Sequence, residues 1–255
     1  MSYVGGKATR AGHILSILNH HAFDGMDYLE PFVGYAHILR RVERKRKYIA
    51  FDKNPLLITL LKGVRAGKRF PHIHKATYER LKHQVHDISF RRAVAAFAYS
   101  YKGMEWGGYF NECGANRNRW YAEEHERYYK TLRQNEVFMK TNIRQLEYQY
   151  IKPTNMLIYC DPPYKNTQGY NANTEVCEFD HEEFWNKMRS WSKNNIVFIS
   201  EYRAPKDFKC VAKFHKYCQL APNGKPTDRI EKMFVHKSCY NKVDDVVKDC
   251  KTLCA

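Results

Sequence analysis

A carboxylate, two prolines and an aromatic ring follow a short apolar run in the middle of the chain. The run Leu157–Cys160 has the character of a buried strand, and Asp161-Pro162-Pro163-Tyr164 comes directly after it. Because proline has no backbone N–H and restricts the residue before it, the strand must end there in a stiff, extended loop. The carboxylate of Asp161 and the backbone carbonyls can accept hydrogen bonds from an amino group, and the ring of Tyr164 can stack on a planar base.

Charge and composition indicate a polyanionic partner. The 255 residues carry a net charge of +16, with nineteen tyrosines, four tryptophans and fourteen phenylalanines among the basic side chains. Cations and aromatic rings together suit phosphate contact and base stacking. The alternative is a basic surface without a function. The candidate DNA-binding residues are Arg117, Arg119, Asn116, Asn118 and Lys102, since Arg and Asn pair with base edges.

Metal binding is an alternative that we do not favour. Two His-x-x-Cys pairs, His215/Cys218 and His236/Cys239, have zinc-ligand residue types. Both pairs lie in stretches with strand character, where residues three apart face opposite ways, so we predict no metal site. Cys160 belongs to the apolar run, and we expect it to pack rather than react.

The elements that position Asp161 follow an alternating pattern. Apolar strands alternate with amphipathic helices, and a turn signal at Asn223-Gly224 separates two final strands. This order predicts an α/β sandwich around a mostly parallel sheet, whose strands begin near residues 27, 48, 156 and 195, with a hairpin from 211 to 235. In such sheets ligands bind at the carboxyl ends of the strands.

The chain divides by composition. Residues 1–61 and 151–240 have the α/β pattern and form the predicted catalytic core. Residues 62–150 are basic, aromatic and poor in strand signals, with helices predicted around 77–86, 90–101 and 121–132, so we interpret them as an insertion. Residues 241–255 form a polar tail. No apolar run approaches the length of a membrane span and no signal segment opens the chain, so we expect a soluble intracellular protein with reduced cysteines.

Four short motifs, in this order, resemble those of a known enzyme family. They are Tyr3 with Gly5-Gly6-Lys7, then Glu30-Pro31-Phe32-Val33-Gly34, then Asp52, then Asp161-Pro162-Pro163-Tyr164. Together they are similar to the motifs of DNA adenine-N6 methyltransferases, the group that includes Dam and bacteriophage adenine methylases. The resemblance implies a Rossmann-like seven-stranded methyltransferase sheet with an antiparallel final hairpin, and a mainly helical inserted DNA-recognition subdomain.

The resemblance also implies a cofactor site for S-adenosylmethionine. Its residues would be Tyr3, Lys7, Phe32, Gly34, Asp52 and Asp161. Lys7 would neutralise the methionine carboxylate, Gly34 would let the backbone approach the methionine part, and Asp52 would bind the ribose hydroxyls. Asp52 could instead, or also, cap the helix that starts at Asn54-Pro55. Relatives commonly have a second glycine where this chain has Ala36.

The implied reaction is methylation of N6 on an adenine flipped out of duplex DNA. Asp161 and the Pro162 carbonyl would accept the two amino hydrogens, Tyr164 would stack on the base, and transfer would be a direct in-line displacement. The alternatives are cytosine-N4 methylation, where relatives more often have Ser in place of Asp161, then methylation of RNA or of a free nucleotide, and a DNA-binding protein that has lost catalysis.

The same family resemblance implies partners and a location. We expect double-stranded DNA as the partner, no membrane, and a monomer or weak homodimer. A cognate restriction endonuclease is a further expected functional partner. The protein would lie with DNA in the cytoplasm or nucleoid, and a viral or phage origin is compatible with the motifs.

Overall fold

Five parallel strands form the centre of the molecule. The computed structural model describes residues 11–109, 115–164, 179–216 and 229–253. In these ranges one sheet contains β1 (Asp27–Glu30), β2 (Lys47–Asp52), β3 (Asn142–Gln145), β4 (Met156–Cys160), β5 (Ile196–Glu201), β6 (Phe208–Lys216) and β7 (Arg229–His236). The spatial order is β3-β2-β1-β4-β5-β7-β6. Strands β1 to β5 pair in parallel, and β7 runs antiparallel to β5 and β6. The predicted Rossmann-like sheet with an antiparallel final hairpin is confirmed.

Helices cover both faces of the sheet. They are α1 (Ala11–Leu18), α2 (Pro55–Arg65), α3 (Lys75–His83), α4 (Phe90–Ala98), α5 (Ala115–Arg133), α6 (Glu136–Lys140), α7 (His181–Trp191) and α8 (Lys237–Leu253). Alternate residues of β4 point to opposite sides: Leu157 and Tyr159 pack in the core below α1, α2, α4 and α8, whereas Ile158 and Cys160 pack against α7. Both faces of the central strands are therefore buried.

The segment 62–150 is mainly helical, with one exception. Strand β3 lies inside this range and pairs in parallel with β2, so the end of the range belongs to the sheet. Helix α5 begins at Ala115, six residues before the predicted start at 121, so residues 116–119 lie in a helix. The polar tail is helical through α8, which buries Val243, Val246 and Val247.

The expected strand setting of the second His-x-x-Cys pair is wrong. His236 ends β7, but Cys239 lies in α8, where its thiol donates to the carbonyls of Ser192 and Asn195 at 3.0 and 3.1 Å. Cys218 of the first pair lies outside the described residues. Among the residues described, no group of three or more His, Cys, Asp and Glu side chains is arranged to hold a metal ion. No helix of the described ranges is long and apolar enough to cross a membrane.

Candidate active site

The pairing register brings three of the four sequence motifs to one edge of the sheet. Glu30 at the end of β1 is paired with Ala50 of β2, and Leu29 is paired with Ile158 of β4. The loops that follow these three strands therefore leave the sheet side by side at its carboxyl edge. They contain Glu30–Gly34, Asp52 and Asp161–Tyr164. The remaining motif, with Tyr3 and Lys7, lies outside the described residues.

Gly34 has the backbone conformation and the open space that close approach of a ligand requires. Its φ is +48°, in the left-handed region that glycine adopts most easily, and a Cβ built on it would meet no atom within 4 Å. Ala36 adopts the left-handed region too, with φ +58°. Phe32, in the same loop, is half-buried among the rings of Tyr148 and Phe184, with centroids 5.4 and 5.9 Å away.

Asp52 ties the loop after β1 to the loop after β2. Its Oδ2 accepts a hydrogen bond from the Gly34 N–H at 3.1 Å, and its Oδ1 accepts one from the Asn54 N–H at 3.0 Å. Burial raises the pKa of Asp52, and the two backbone hydrogen bonds oppose that shift. The side chain that caps α2 is Asn54, which accepts from the N–H groups of Leu56 and Leu57. Asp52 therefore orders the loop without itself being the cap.

A second carboxyl group, which the sequence did not single out, lies beside Asn54. The Asn54 amide donates to Oε2 of Glu105 at 2.6 Å. Burial raises the pKa of Glu105, and the charge of Asp52 adds to the rise. Glu105 follows the short 3-10 helix Tyr101–Gly103. The segment 62–150 therefore reaches the edge of the sheet at which Asp52 lies.

The loop after β4 is held by its own tyrosine. The hydroxyl of Tyr164 lies 2.9 Å from Oδ1 of Asp161 and 2.8 Å from Oε1 of Glu231. The ring of Tyr164 meets the ring of Tyr202 edge-on, with centroids 4.9 Å apart. Burial, and then the charge of Asp161, raise the pKa of Tyr164 well above its usual value. Pro162 is buried, and Asp161 is partly exposed.

Acidic groups are concentrated at this edge. Glu30 is only 3% exposed and accepts a hydrogen bond from the Tyr28 hydroxyl at 3.1 Å. Burial raises the pKa of Glu30 well above its usual range, and the negative charge of Asp161 raises it further. Such a site favours a ligand that brings positive charge or hydrogen-bond donors to Asp161.

Cys160 has no part in this chemistry. It is fully buried, its thiol lies 3.6 Å from the sulfur of Met188, and burial raises its pKa well above the usual value. A thiol in this setting is a packing group, as the apolar run predicted.

The candidate DNA-binding residues lie on the segment 62–150. Lys102 belongs to the 3-10 helix, and residues 116–119 lie in the first two turns of α5, but their side chains lie outside the described part of the structure. The backbone near Lys102 contacts the loop after β1, because the Tyr35 hydroxyl donates to the Gly103 carbonyl at 3.2 Å. The roles of Asn116, Arg117, Asn118, Arg119 and Lys102 stay predictions.

Glu231 is another acidic residue at the site that the sequence analysis did not single out. It is fully buried on β7, where it shares one face of the strand with Met233 and Val235. An acidic residue that alternates with apolar residues along a strand indicates a buried carboxyl group. This signal is present in the sequence of β7. The raised pKa values of Glu30 and Glu105 were not predicted, because the burial of these side chains depends on other parts of the chain.

A comparison with known families matches about the first third of the chain. Residues 3–89 match the family model of D12 class N6 adenine-specific DNA methyltransferases. Over this segment the chain is similar to D12 class N6 adenine-specific DNA methyltransferases. The match contains Tyr3, Lys7, the loop after β1 and Asp52, and it ends before Asp161. The match confirms the predicted resemblance over these residues. No curated protein sequence matches the chain significantly.

Solved structures of low sequence identity also align with the chain. One is PH1948 from Pyrococcus horikoshii, provisionally assigned as an RNA methyltransferase, with 7% identity, a TM-score of 0.42, and coverage of 90% of this chain and 82% of that one. Another is SMU.472, provisionally assigned as a methyltransferase and complexed with SAH, with 13% identity, a TM-score of 0.35, and coverage of 91% of this chain and 55% of that one. The similarity to D12 class enzymes rests on the family match, and the fold on the strand order.

Proposed function

We propose that the protein transfers a methyl group from S-adenosylmethionine to N6 of an adenine at a specific site in duplex DNA. The observation that carries the proposal is the convergence of Gly34, Asp52 and Asp161–Tyr164 on one edge of a sheet. The match of residues 3–89 to D12 class enzymes supports adenine as the base. The net charge of +16 supports DNA as the partner.

The residues at the ends of β1 and β2 fit the cofactor. The open space beside Gly34 supports binding of the methionine part there, and the carboxylate of Asp52, which accepts from the Gly34 N–H, would also accept from the ribose hydroxyls. Phe32 would pack near the cofactor, Tyr3 and Lys7 would complete the methionine end, and Asp161 would lie beside the methyl group. When bound, S-adenosylmethionine supplies a methyl group on a positively charged sulfonium. The acidic side chains of this edge favour that charge.

The loop after β4 would hold the base. The Asp161 carboxylate and the Pro162 carbonyl accept the two N6 hydrogens, so the nitrogen lone pair is oriented for in-line attack. Asp161 also stabilises the positive charge that develops on N6 during transfer. Tyr164 stacks on the flipped base. The ring of Tyr164 is already fixed by its hydroxyl contacts and by Tyr202, so little ordering is needed on binding.

DNA would reach the site through the segment 62–150. Arg117, Arg119, Asn116, Asn118 and Lys102 are proposed to contact the duplex. The proposal includes a monomer or weak homodimer as the active form, which lies with DNA inside the cell. It also includes a cognate restriction endonuclease as the functional partner.

The test is sequencing with modification detection on DNA exposed to the protein and S-adenosylmethionine. We expect N6-methyladenine at one short sequence. Asp161→Ala is expected to lower the methylation rate at least about a thousandfold while DNA binding is retained, because the acceptor of the amino hydrogens is removed. The control is Asp245→Ala on α8. The side chain of Asp245 is 93% exposed, and we propose no role for it in the reaction. Methylcytosine as the product, or a normal rate in the Asp161 variant, would contradict the proposal.

A further inference from the structure

The segment 62–150 places one carboxyl group against the loop that follows β2. Oε2 of Glu105 accepts a hydrogen bond from the side-chain amide of Asn54 at 2.6 Å. Asn54 lies directly before α2, whereas Glu105 lies 51 residues further along the chain, in the loop after the 3-10 helix Tyr101–Gly103. This contact joins the segment 62–150 to the edge of the sheet at which Asp52 lies.

The side-chain amide of Asn54 has only one orientation that satisfies its neighbours. Its oxygen accepts from the N–H groups of Leu56 and Leu57 at 3.0 and 3.1 Å, so its nitrogen is the atom that faces Glu105. The backbone N–H of the same residue donates to Oδ1 of Asp52 at 3.0 Å. The position of Asn54 therefore determines where one of the two N–H groups that hold the Asp52 carboxylate lies.

The loop that contains Glu105 has a strained backbone. Trp106 has φ +53°, in the left-handed region that residues other than glycine rarely adopt, and it lies between Gly103 and Gly108, with φ +66° and +101°. The Trp106 N–H donates to the Ala96 carbonyl at 3.1 Å. Strain of this kind persists only where surrounding contacts impose it, and it is concentrated at binding and catalytic sites. Because Glu105 directly precedes Trp106, these contacts also fix the backbone of Glu105.

The side chain of Trp106 attaches this loop to the helices of the same segment. Its ring meets the ring of Tyr78 on α3 with centroids 5.3 Å apart, and the guanidinium of Arg92 on α4 lies 5.1 Å from its centroid. Arg92 is only 5% exposed and donates to the carbonyl of Leu81 at 2.8 Å. Helices α3 and α4 thus support the loop from which Glu105 contacts Asn54.

We propose that Glu105 is a positioning residue for cofactor binding, which acts through Asn54 on Asp52. This proposal rests on the proposed function, in which Asp52 accepts hydrogen bonds from the ribose hydroxyls. Glu105 holds the amide of Asn54, and the backbone N–H of Asn54 then orients Oδ1 of Asp52. The carboxylate is thereby preorganised before S-adenosylmethionine binds. The segment 62–150 contributes to binding of the cofactor as well as of DNA.

Two substitutions of Glu105 separate hydrogen bonding from packing. Glutamine retains a side-chain oxygen that can accept from Asn54, whereas leucine retains the approximate size and removes the acceptor. Glu79 on α3 is exposed, so E79L is the matched control for the same change elsewhere in the segment.

Calorimetry with S-adenosylmethionine, in the absence of DNA, is the first test. We expect E105L to raise Kd about tenfold, because the Asp52 carboxylate loses its fixed orientation, and E105Q to remain within about threefold of the wild type. The E79L variant should bind as the wild type does. An unchanged Kd in E105L, or an increase in E105Q as large as in E105L, overturns the proposal.

Steady-state kinetics on a DNA duplex that contains the methylated site separate cofactor positioning from a general loss of structure. We expect E105L to raise KM for S-adenosylmethionine about tenfold and to change kcat at saturating cofactor by less than about threefold, because the loop after β4 is intact. A decrease in kcat with an unchanged KM would overturn the role in cofactor positioning.

A variant of Asn54 supplies a test that does not depend on the folding of E105L. Serine at position 54 retains an oxygen that can cap α2 and removes the amide that donates to Glu105. We expect N54S to raise Kd for S-adenosylmethionine about tenfold, and N54S/E105L to bind no more weakly than the poorer single variant. Wild-type affinity in N54S, or independent increases that multiply in the double variant, would overturn the chain of hydrogen bonds.

The role of Glu105 and the proposed function can fail separately. If the wild type binds S-adenosylmethionine but does not methylate DNA, the proposed function fails, whereas the ratio of Kd between E105L and the wild type still decides the role of Glu105. Equal Kd values in an enzyme that methylates DNA would overturn only the role of Glu105.

Discussion

The hydroxyl of Tyr128 donates to the backbone carbonyl of Tyr35 at 2.6 Å. Tyr128 belongs to α5, the helix whose first turns contain Arg117 and Arg119, and Tyr35 directly follows Gly34 in the loop after β1. The same hydroxyl lies 3.2 Å from Nδ1 of the buried His37. The segment proposed to bind DNA is thus hydrogen-bonded to the loop proposed to bind the cofactor.

Replacing Asp52 by asparagine tests whether the loops after β1 and β2 bind the cofactor. Asp52→Asn removes the charge and replaces one of the two oxygens that accept the Gly34 and Asn54 N–H groups. We expect the affinity for S-adenosylmethionine, measured by calorimetry, to fall at least about tenfold, since hydrogen bonds to a charged group contribute about 1.5–3 kcal/mol. Asp87→Asn is the control, because Asp87 also accepts a backbone hydrogen bond, from Ser89, in a loop before α4. An unchanged affinity in the Asp52 variant would place ribose binding elsewhere.

Gly34 and Gly25 form a matched pair for separating backbone strain from ligand contact. Both have positive φ, +48° and +74°, and a Cβ on either would meet no atom within 4 Å. Gly34→Ala and Gly25→Ala should each lower the free energy of unfolding by about 1 kcal/mol. Only Gly34→Ala should also weaken binding of S-adenosylmethionine, by about tenfold or more, because its methyl group occupies the space left for the methionine part. Equal affinities in the two variants would argue against cofactor binding beside Gly34.

Buried His125 predicts a decrease of stability in mild acid. Burial lowers its pKa to about 4, below the ordinary value near 6.5. Between these two values the unfolded chain binds a proton that the folded protein does not, so stability falls as the pH falls from about 6.5 to about 4.

His125→Phe removes this titrating group and keeps a ring between those of Tyr35 and Tyr129. Denaturant unfolding at neutral pH and at about pH 4.5 should show a decrease in stability on acidification that is smaller in the variant by about 2 kcal/mol. The exposed His86 supplies the control, His86→Phe, in which the acid-induced decrease should equal that of the wild type. An identical decrease in the His125 variant would mean that the imidazole is charged in the folded protein.

The amino-terminal turns of α5 are the place to test DNA contact. Changing Arg117 and Arg119 together to alanine should weaken DNA binding and reduce the slope of log affinity against log salt by up to about two, because each arginine that neutralises a phosphate adds about one to that slope. The matched control changes Arg127 and Lys130, both exposed in the second half of the same helix. Equal effects of the two double variants would indicate non-specific attraction to a basic helix and no local binding of DNA at residues 117 and 119.

Local signals explain what the sequence predicted. The prolines after β1 and β4, and the run of apolar residues in each, mark a buried strand and its end without reference to the rest of the chain. Parallel pairing then places the following loops at one edge of the sheet, where the family resemblance had also grouped Gly34, Asp52 and Asp161 in one site. The start of α2 was predicted for the same reason, because Asn54 and Pro55 carry the capping signal themselves.

The missed elements lack such signals. In β3 only Ile143 is buried, so an edge strand with exposed neighbours shows no hydrophobic pattern. The first turns of α5 contain Asn116–Arg119, whose polar composition has no helical period. The hydrogen bond between Tyr164 and Glu231 joins residues 67 apart in sequence, and no local pattern in either segment indicates it.

The order of the last two strands has a consequence for how the molecule forms. Strand β6 precedes β7 in the chain but lies outside it in the sheet, where its pairing partner is β7. During synthesis β6 therefore has no place in the sheet until β7 has emerged, and the two strands must dock together as a hairpin. Until then β5 presents an open edge of unpaired backbone groups. A nascent or truncated chain that stops before residue 229 would thus be prone to aggregation, although it contains all five parallel strands.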